Sequence, residues 1–283
     1  MNAADGISRP RFALSVDVED YFQVWAFSSV VKRESWDGYA LRVGDNTRRC
    51  LDLFDAHDAK ATFFTLGWVA ERDPDLIREI VGRGHELASH GYDHTKATEQ
   101  TRDQFLADVK KTKALLEDIS GADVIGYRAA GFSIGKETPW AHEALAQAGH
   151  RYSSSTHPIA HDHYGDAQAP QSPYETAGLI EAPVATVNFL GKRLSAAGGG
   201  WFRVAPLAFS KALLSKAAKT LEGPAIFYFH PWEIDPGQPR LNRAPLKSKL
   251  RHYLNLDRME AKLAKTLDGF SWGRIDDALG LRP

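Results

Sequence analysis

Little in this sequence points to a covalent staple, a membrane span or a polyanionic partner. It has a single cysteine, Cys50, so no internal disulfide can form. Cys50 sits in an apolar helical pattern that suits a buried thiol better than a nucleophile. No stretch approaches the ~18 consecutive apolar residues of a membrane-spanning helix. Residues 1–11 are short and polar, include Pro10, and lack the apolar core of a signal peptide. The expected location is therefore the cytoplasm. Lys+Arg number 35 against 36 Asp+Glu, a formal net charge of -1, which gives no global case for nucleic-acid binding. Phosphate loops are missing too: Gly198-Gly199-Gly200 runs into Trp201 and fits no nucleotide-binding pattern.

What is present is an alternation of apolar strands and amphipathic helices along 283 residues, without internal repeats. Strands are expected at Phe12–Val18, Ala61–Leu66, Glu86–Ser89, Val124–Tyr127, Arg151–Ser153 and Ala225–Phe229, and near Phe270–Ile275. A strand pair or bent ribbon is expected over Leu179–Leu190. Helices are expected at Thr47–Ala56 with Asn46 as cap, from Pro74, over Thr101–Ile119, from Thr138 to Gln147, over Pro206–Leu221 and over Leu246–Leu267. Asp17, Glu19, His90, Arg128 and His230 all fall at or just after strand ends. That is the layout of a β/α barrel, with its site on the C-terminal rim. An open doubly wound sheet also places ligands there, but candidates spread from residue 17 to residue 230 favour the barrel. The expected class is α/β, one domain over residues 1–283, with a helical C-terminal extension from about 240.

His90 and His94 stand four apart, a spacing that one turn of helix brings onto one face. Two imidazoles so placed can hold a metal ion, although 11 histidines make chance pairs common. The acidic run Asp17-Val18-Glu19-Asp20 strengthens the case, because metal sites with an open position commonly take two histidines and a carboxylate.

Five pieces, in order, resemble the polysaccharide deacetylases of the NodB-homology superfamily, carbohydrate esterase family four. They are Ser15-Val16-Asp17-Val18-Glu19-Asp20-Tyr21-Phe22, Thr62-Phe63-Phe64-Thr65-Leu66-Gly67-Trp68, Ser89-His90-Gly91-Tyr92-Asp93-His94, Gly126-Tyr127-Arg128-Ala129 and Phe229-His230-Pro231-Trp232-Glu233-Ile234-Asp235. The branch found with exosortase-type exopolysaccharide loci is the more similar one. The resemblance implies a deformed barrel of about seven strands, a divalent metal, most simply Zn2+, and hydrolysis of N-acetyl groups on an amino-sugar polymer or oligosaccharide. It implies His90 and His94 as metal ligands, Asp17 as catalytic base, Arg128 as the arginine that holds it, and His230 as general acid. The third ligand is Glu19, which shares a strand face with Asp17, or Asp20 if the strand has already ended. Two departures stand out. Ala130 replaces a usual proline. Ser153 stands where an aspartate would orient the acid histidine, a role that Glu233 or Asp235 could fill.

Trp201, Trp232 and Tyr127 are the expected substrate contacts. His157, His161 and His163 could form a second metal site, although solvated loop histidines are the simpler expectation. The basic run Lys247, Lys249, Arg251 and His252, with Leu254 and Leu256, suits peripheral contact with anionic lipid or, more simply, a solvated helix face. Two competing functions are an allantoinase-like small-molecule amidohydrolase and a catalytically silent carbohydrate-binding protein.

Overall fold

Residues 13–18 are buried, as an apolar run covered on both faces must be, and the strand they form is the hub of the molecule. The computed structural model describes residues 9–159 and 165–282. In chain order they form β1 (Phe12–Val18), α1 (Val43–Ala56), β2 (Ala61–Thr65), α2 (Gly67–Arg72), α3 (Pro74–Gly82), β3 (Glu86–Ser89), α4 (Arg102–Ser120), β4 (Gly126–Tyr127), α5 (Ala141–Gln147), β5 (Tyr152–Ser153), β6 (Tyr174–Thr176), β7 (Leu179–Glu181), β8 (Thr186–Phe189), β9 (Lys192–Ser195), α6 (Gly199–Val204), α7 (Leu207–Thr220), β10 (Ala225–Phe229), α8 (Leu246–Tyr253), α9 (Leu256–Leu267), β11 (Trp272–Gly273) and α10 (Ile275–Leu279). No helix among the described residues is long and apolar enough to cross a membrane.

The main sheet runs β10-β1-β2-β3-β4-β5-β7-β6. Neighbours from β10 to β7 are parallel, and β6 returns antiparallel on β7. The sheet curls towards closure because the chain after β7 crosses to β10. The Ala182 N–H donates to Ser153 O at 2.7 Å, and the Ala185 N–H donates to Ile226 O at 2.9 Å. The result is a deformed α/β barrel, in line with the expected class. Its N-terminal end is plugged by the last elements. β11 pairs with β1, Phe12 opposite Trp272, and the Asp276 N–H donates to Glu86 Oε2 at 3.2 Å. Burial, then the Asp276 charge, pushes the Glu86 carboxyl up to about 8.

Three local expectations are corrected. α1 starts at Val43 rather than Thr47, because its cap comes from a distant residue: Asp20 Oδ2 accepts the N–H groups of Arg42 (2.7 Å) and Val43 (2.9 Å). Asn46 lies inside the helix and donates to Asp235 Oδ2 at 3.1 Å. The stretch 246–267 is two helices, broken where Asn255 takes φ 57°. Residues 90–94 form a loop instead of a helical turn, since Gly91 (φ 75°) and His94 (φ 61°) are left-handed. α4 follows expectation, with a Thr101/Gln104 capping box and Gly121 at φ 67° closing it.

Candidate metal centre and catalytic site

Strand alternation separates the acidic run at the end of β1. Val18 packs into the core, while Asp17 and Glu19 line one cleft. Asp20 is fully committed elsewhere: besides capping α1, its Oδ1 accepts the Tyr21 N–H at 2.8 Å. Between the two candidate carboxylates, the geometry puts Glu19 with the histidines.

Ligand atoms of Glu19, His90 and His94 all lie within 4.8 Å of one another. Glu19 Oε2 is buried and sits 3.0 Å from His94 Nε2. His90 Nδ1 is 2.8 Å from Arg128 O. That carbonyl fixes the proton on Nδ1 and leaves the Nε2 lone pair for a ligand. Burial pushes the His90 imidazole down to about 4, so it is neutral at neutral pH. Burial alone would raise the Glu19 carboxyl, but His94, then His230 and His90, hold it at about 2. One ionised carboxylate, one imidazole with a free lone pair and a second imidazole bring ligand atoms within 4.8 Å of one another. The donor set fits a divalent ion.

Arg128 follows β4 and is fully buried. Its Nη1 donates to Asp17 Oδ1 at 2.6 Å and to Ser15 Oγ at 2.9 Å. Its Nε and Nη2 reach Ser154 O at 3.0 Å and Ser154 Oγ at 2.9 Å. The fork thus locks one oxygen of Asp17 and leaves Oδ2, which lies 3.9 Å from His230 Nε2.

His230 follows β10. Its Nδ1 is 2.9 Å from Glu233 Oε1, and Glu233 Oε2 is 2.8 Å from Arg203 Nε. Arg203, on α6, also donates to the carbonyls of His252 (2.5 Å) and Arg251 (2.7 Å). Burial would lower His230, but the Glu233 hydrogen bond and the charges of Glu19, Glu233 and Asp17 raise it to about 9. Ser153 has no part in this: its Oγ is 2.8 Å from Ser155 Oγ, in a buried network around Glu181. Asp235 is taken by Arg42 and Asn46. The carboxylate beside the histidine therefore comes from its own following turn, as Glu233.

The cleft holds about 640 Å³. Trp232 lines it and stacks on His230 (centroids 5.1 Å apart, 22°). Trp201 lines it half-exposed. Tyr127 is a correction: its ring is buried against Phe105 at 5.7 Å and His150 at 5.6 Å, outside the cleft, because β4 turns that side chain into the outer core. His157 lines the cleft, with Nε2 3.1 Å from Ser195 Oγ; His161 and His163 lie outside the described residues. Sequence reasoning missed Arg203 and Ser154. Arg203 carries no local signal, since its partner lies on another strand's end. Ser154 could have been suspected from the polar run Ser153-Ser154-Ser155 ending β5.

Residues 37–153 match the polysaccharide deacetylase family model. Over those residues the chain matches a polysaccharide deacetylase domain. This deacetylase domain is followed, over residues 154–280, by a match to a domain of unknown function, DUF3473. The chain is 33% identical over 75 residues to a peptidoglycan-N-acetylglucosamine deacetylase of Bacillus cereus, covering 26% of this chain and 27% of that one. It is 31% identical over 107 residues to a peptidoglycan deacetylase of Helicobacter pylori, covering 38% and 36%. These matches thus span well under half of either relative. A crystal structure from Mycobacterium smegmatis, provisionally assigned as a polysaccharide deacetylase, superposes with TM-score 0.58 at 19% identity. It covers 95% of this chain and 88% of its own, a likeness of fold.

Proposed function

We propose that this chain is a metal-dependent N-deacetylase of an acetylated amino sugar, in a polysaccharide or its lipid-linked precursor. The observation that carries the reading is the placement of Asp17 and His230 beside the Glu19, His90 and His94 donors, each held by its own buried partner, Arg128 or Glu233. Glu19, His90 and His94 would hold the ion, and their nitrogen and oxygen donors suit Zn2+. A divalent ion there supplies Lewis acidity, polarising the acetyl carbonyl and acidifying water.

Asp17 Oδ2 takes the proton of the attacking water, while Arg128 keeps the carboxylate fixed through Oδ1. Water oxygen bonds to the acetyl carbon, and the C–N bond then breaks. His230 Nε2 delivers a proton to the departing amine, with Glu233 holding Nδ1. Each transfer contributes ~10²–10⁴-fold. Backbone N–H groups in the loop after β4 can help the developing oxyanion. Arg128, Ala129 and Phe132 spend theirs on Ser89 O, Ser155 Oγ and Ala129 O, which narrows that role to Ala130 and Gly131.

The test is acetate release from N-acetylated glucosamine oligomers by the metal-loaded protein, beside Asp17→Asn and His230→Ala. Turnover in the wild type with a loss of ~10²-fold or more in each variant is expected. Oligomer binding without acetate release would favour a carbohydrate-binding protein instead.

A further inference from the structure

The proposed chemistry makes no use of the wall where the cleft meets α8. Leu246, Leu250 and Leu254 recur one helical turn apart and are 69%, 58% and 46% exposed. On α6, whose Arg203 binds the α8 carbonyls, Trp201 and Val204 are 50% and 53% exposed. Leu250, Leu254, Trp201 and Val204 line the same cleft, so the apolar ledge is continuous. His252 and Leu256, by contrast, turn inward and are buried. The ledge is set in cations. Residues 236–256 contain Arg240, Arg243, Lys247, Lys249 and Arg251 and no carboxylate, in a chain whose net charge is -1. The helix is also firmly seated: Arg203 binds the carbonyls of Arg251, His252 and Leu254.

We infer that this face docks on an anionic lipid surface, with the leucines and Trp201 at the level of the headgroups and the cations on lipid phosphates. Leucines projecting between long cationic side chains, edged by tryptophan, are the makings of an interfacial helix. A soluble acidic polymer would satisfy the cations but leave the leucines in water. A symmetric contact with a second copy would bring like charges together. A bilayer meets both demands and puts the cleft mouth at its surface.

The test is co-sedimentation of the intact, metal-loaded protein with phosphatidylglycerol-containing vesicles and with phosphatidylcholine vesicles, at low and high salt. The variants are Leu246→Asn and Lys247→Glu/Lys249→Glu, all outside the cleft lining, with thermal melting to confirm their fold. Binding to the anionic vesicles alone, weakened by salt and reduced about tenfold or more by the charge reversal, is expected. Leu246→Asn should weaken it further at either salt. No binding to anionic vesicles, or equal binding to both kinds, overturns the inference. So does concentration-dependent dimerisation abolished by Leu246→Asn, which would assign the ledge to a second copy.

Discussion

Glu19 and Asp20 are neighbours with opposite duties, and replacing each by alanine separates them. Asp20→Ala removes the acceptor of two buried N–H groups, Val43 at 2.9 Å and Tyr21 at 2.8 Å, and of a half-buried one, Arg42 at 2.7 Å. Losing a helix cap costs ~0.5–2 kcal/mol, and each further orphaned buried donor costs ~1–3 kcal/mol. Against this, the variant no longer buries a carboxylate whose own pKa is raised, first by burial. The net is a destabilisation of ~2–4 kcal/mol, or roughly 3–7 °C in Tm for a chain this long. Zinc content after reconstitution should stay near one per chain, because Asp20 reaches no donor of the site. Glu19→Ala should do the reverse. It removes the metal carboxylate together with its contacts to Trp232 Nε1 at 3.4 Å and His94 Nε2 at 3.0 Å, so metal should be lost, with any fall in Tm of the apo-protein coming from those contacts and not from a helix cap. The assays are elemental analysis and thermal melting of both variants in apo and reconstituted forms. If Asp20→Ala loses the metal while Glu19→Ala keeps it, the strand-end geometry argued above is wrong.

Glu233→Gln keeps the shape beside His230 but removes its charge. Turnover should fall by ~10²-fold with KM and metal content unchanged, and wild-type turnover would show that His230 needs no such partner. Ser153→Asp should not improve activity. It inserts a second carboxylate into the buried network of Glu181 and should cost ~2–4 kcal/mol in urea unfolding. Acid should weaken the fold through two buried neutral histidines. Burial, then Lys60, lowers His85 to about 4, and burial, then Lys113, lowers His150 to about 3, from 6.5. The unfolded chain binds the extra protons, so their stability is complete above pH 6.5, drains as pH falls from 6.5 towards the folded values, and levels off below them. Between pH 7 and pH 5 each histidine accounts for ~2 kcal/mol. His150→Leu should remove that share of the loss, and an unchanged pH 5 deficit in urea titrations would discount the histidine.

Strands such as β1, β2 and β10 were legible because a buried parallel strand must be apolar almost throughout, and the residue that breaks the run marks the rim. The same logic exposed Asp17, His90, Arg128 and His230 as strand-end residues. Long-range chemistry stayed hidden. α1 starts early because Asp20 caps it from another element. His90 and His94 converge through left-handed backbone at Gly91 and His94, which the spacing alone read as helix. Tyr127 was an expected substrate contact, yet it directly precedes Arg128, and successive side chains of a strand point to opposite faces. The help to His230 was half legible: Glu233 follows it by three residues, whereas Arg203 comes from a helix with no sequence mark of its role.

β1 has a consequence for how the chain is made. It is made before every other described element, yet two of its three sheet neighbours, β10 and β11, come after β2 to β9. For most of synthesis one edge of this apolar strand has no native partner to pair with. Such an edge invites pairing with other chains, and contacts so far apart in sequence form slowly. A ribosome stalled before Ala225 would therefore display a sticky half-barrel, and the nascent chain depends on shielding until its closing segments arrive.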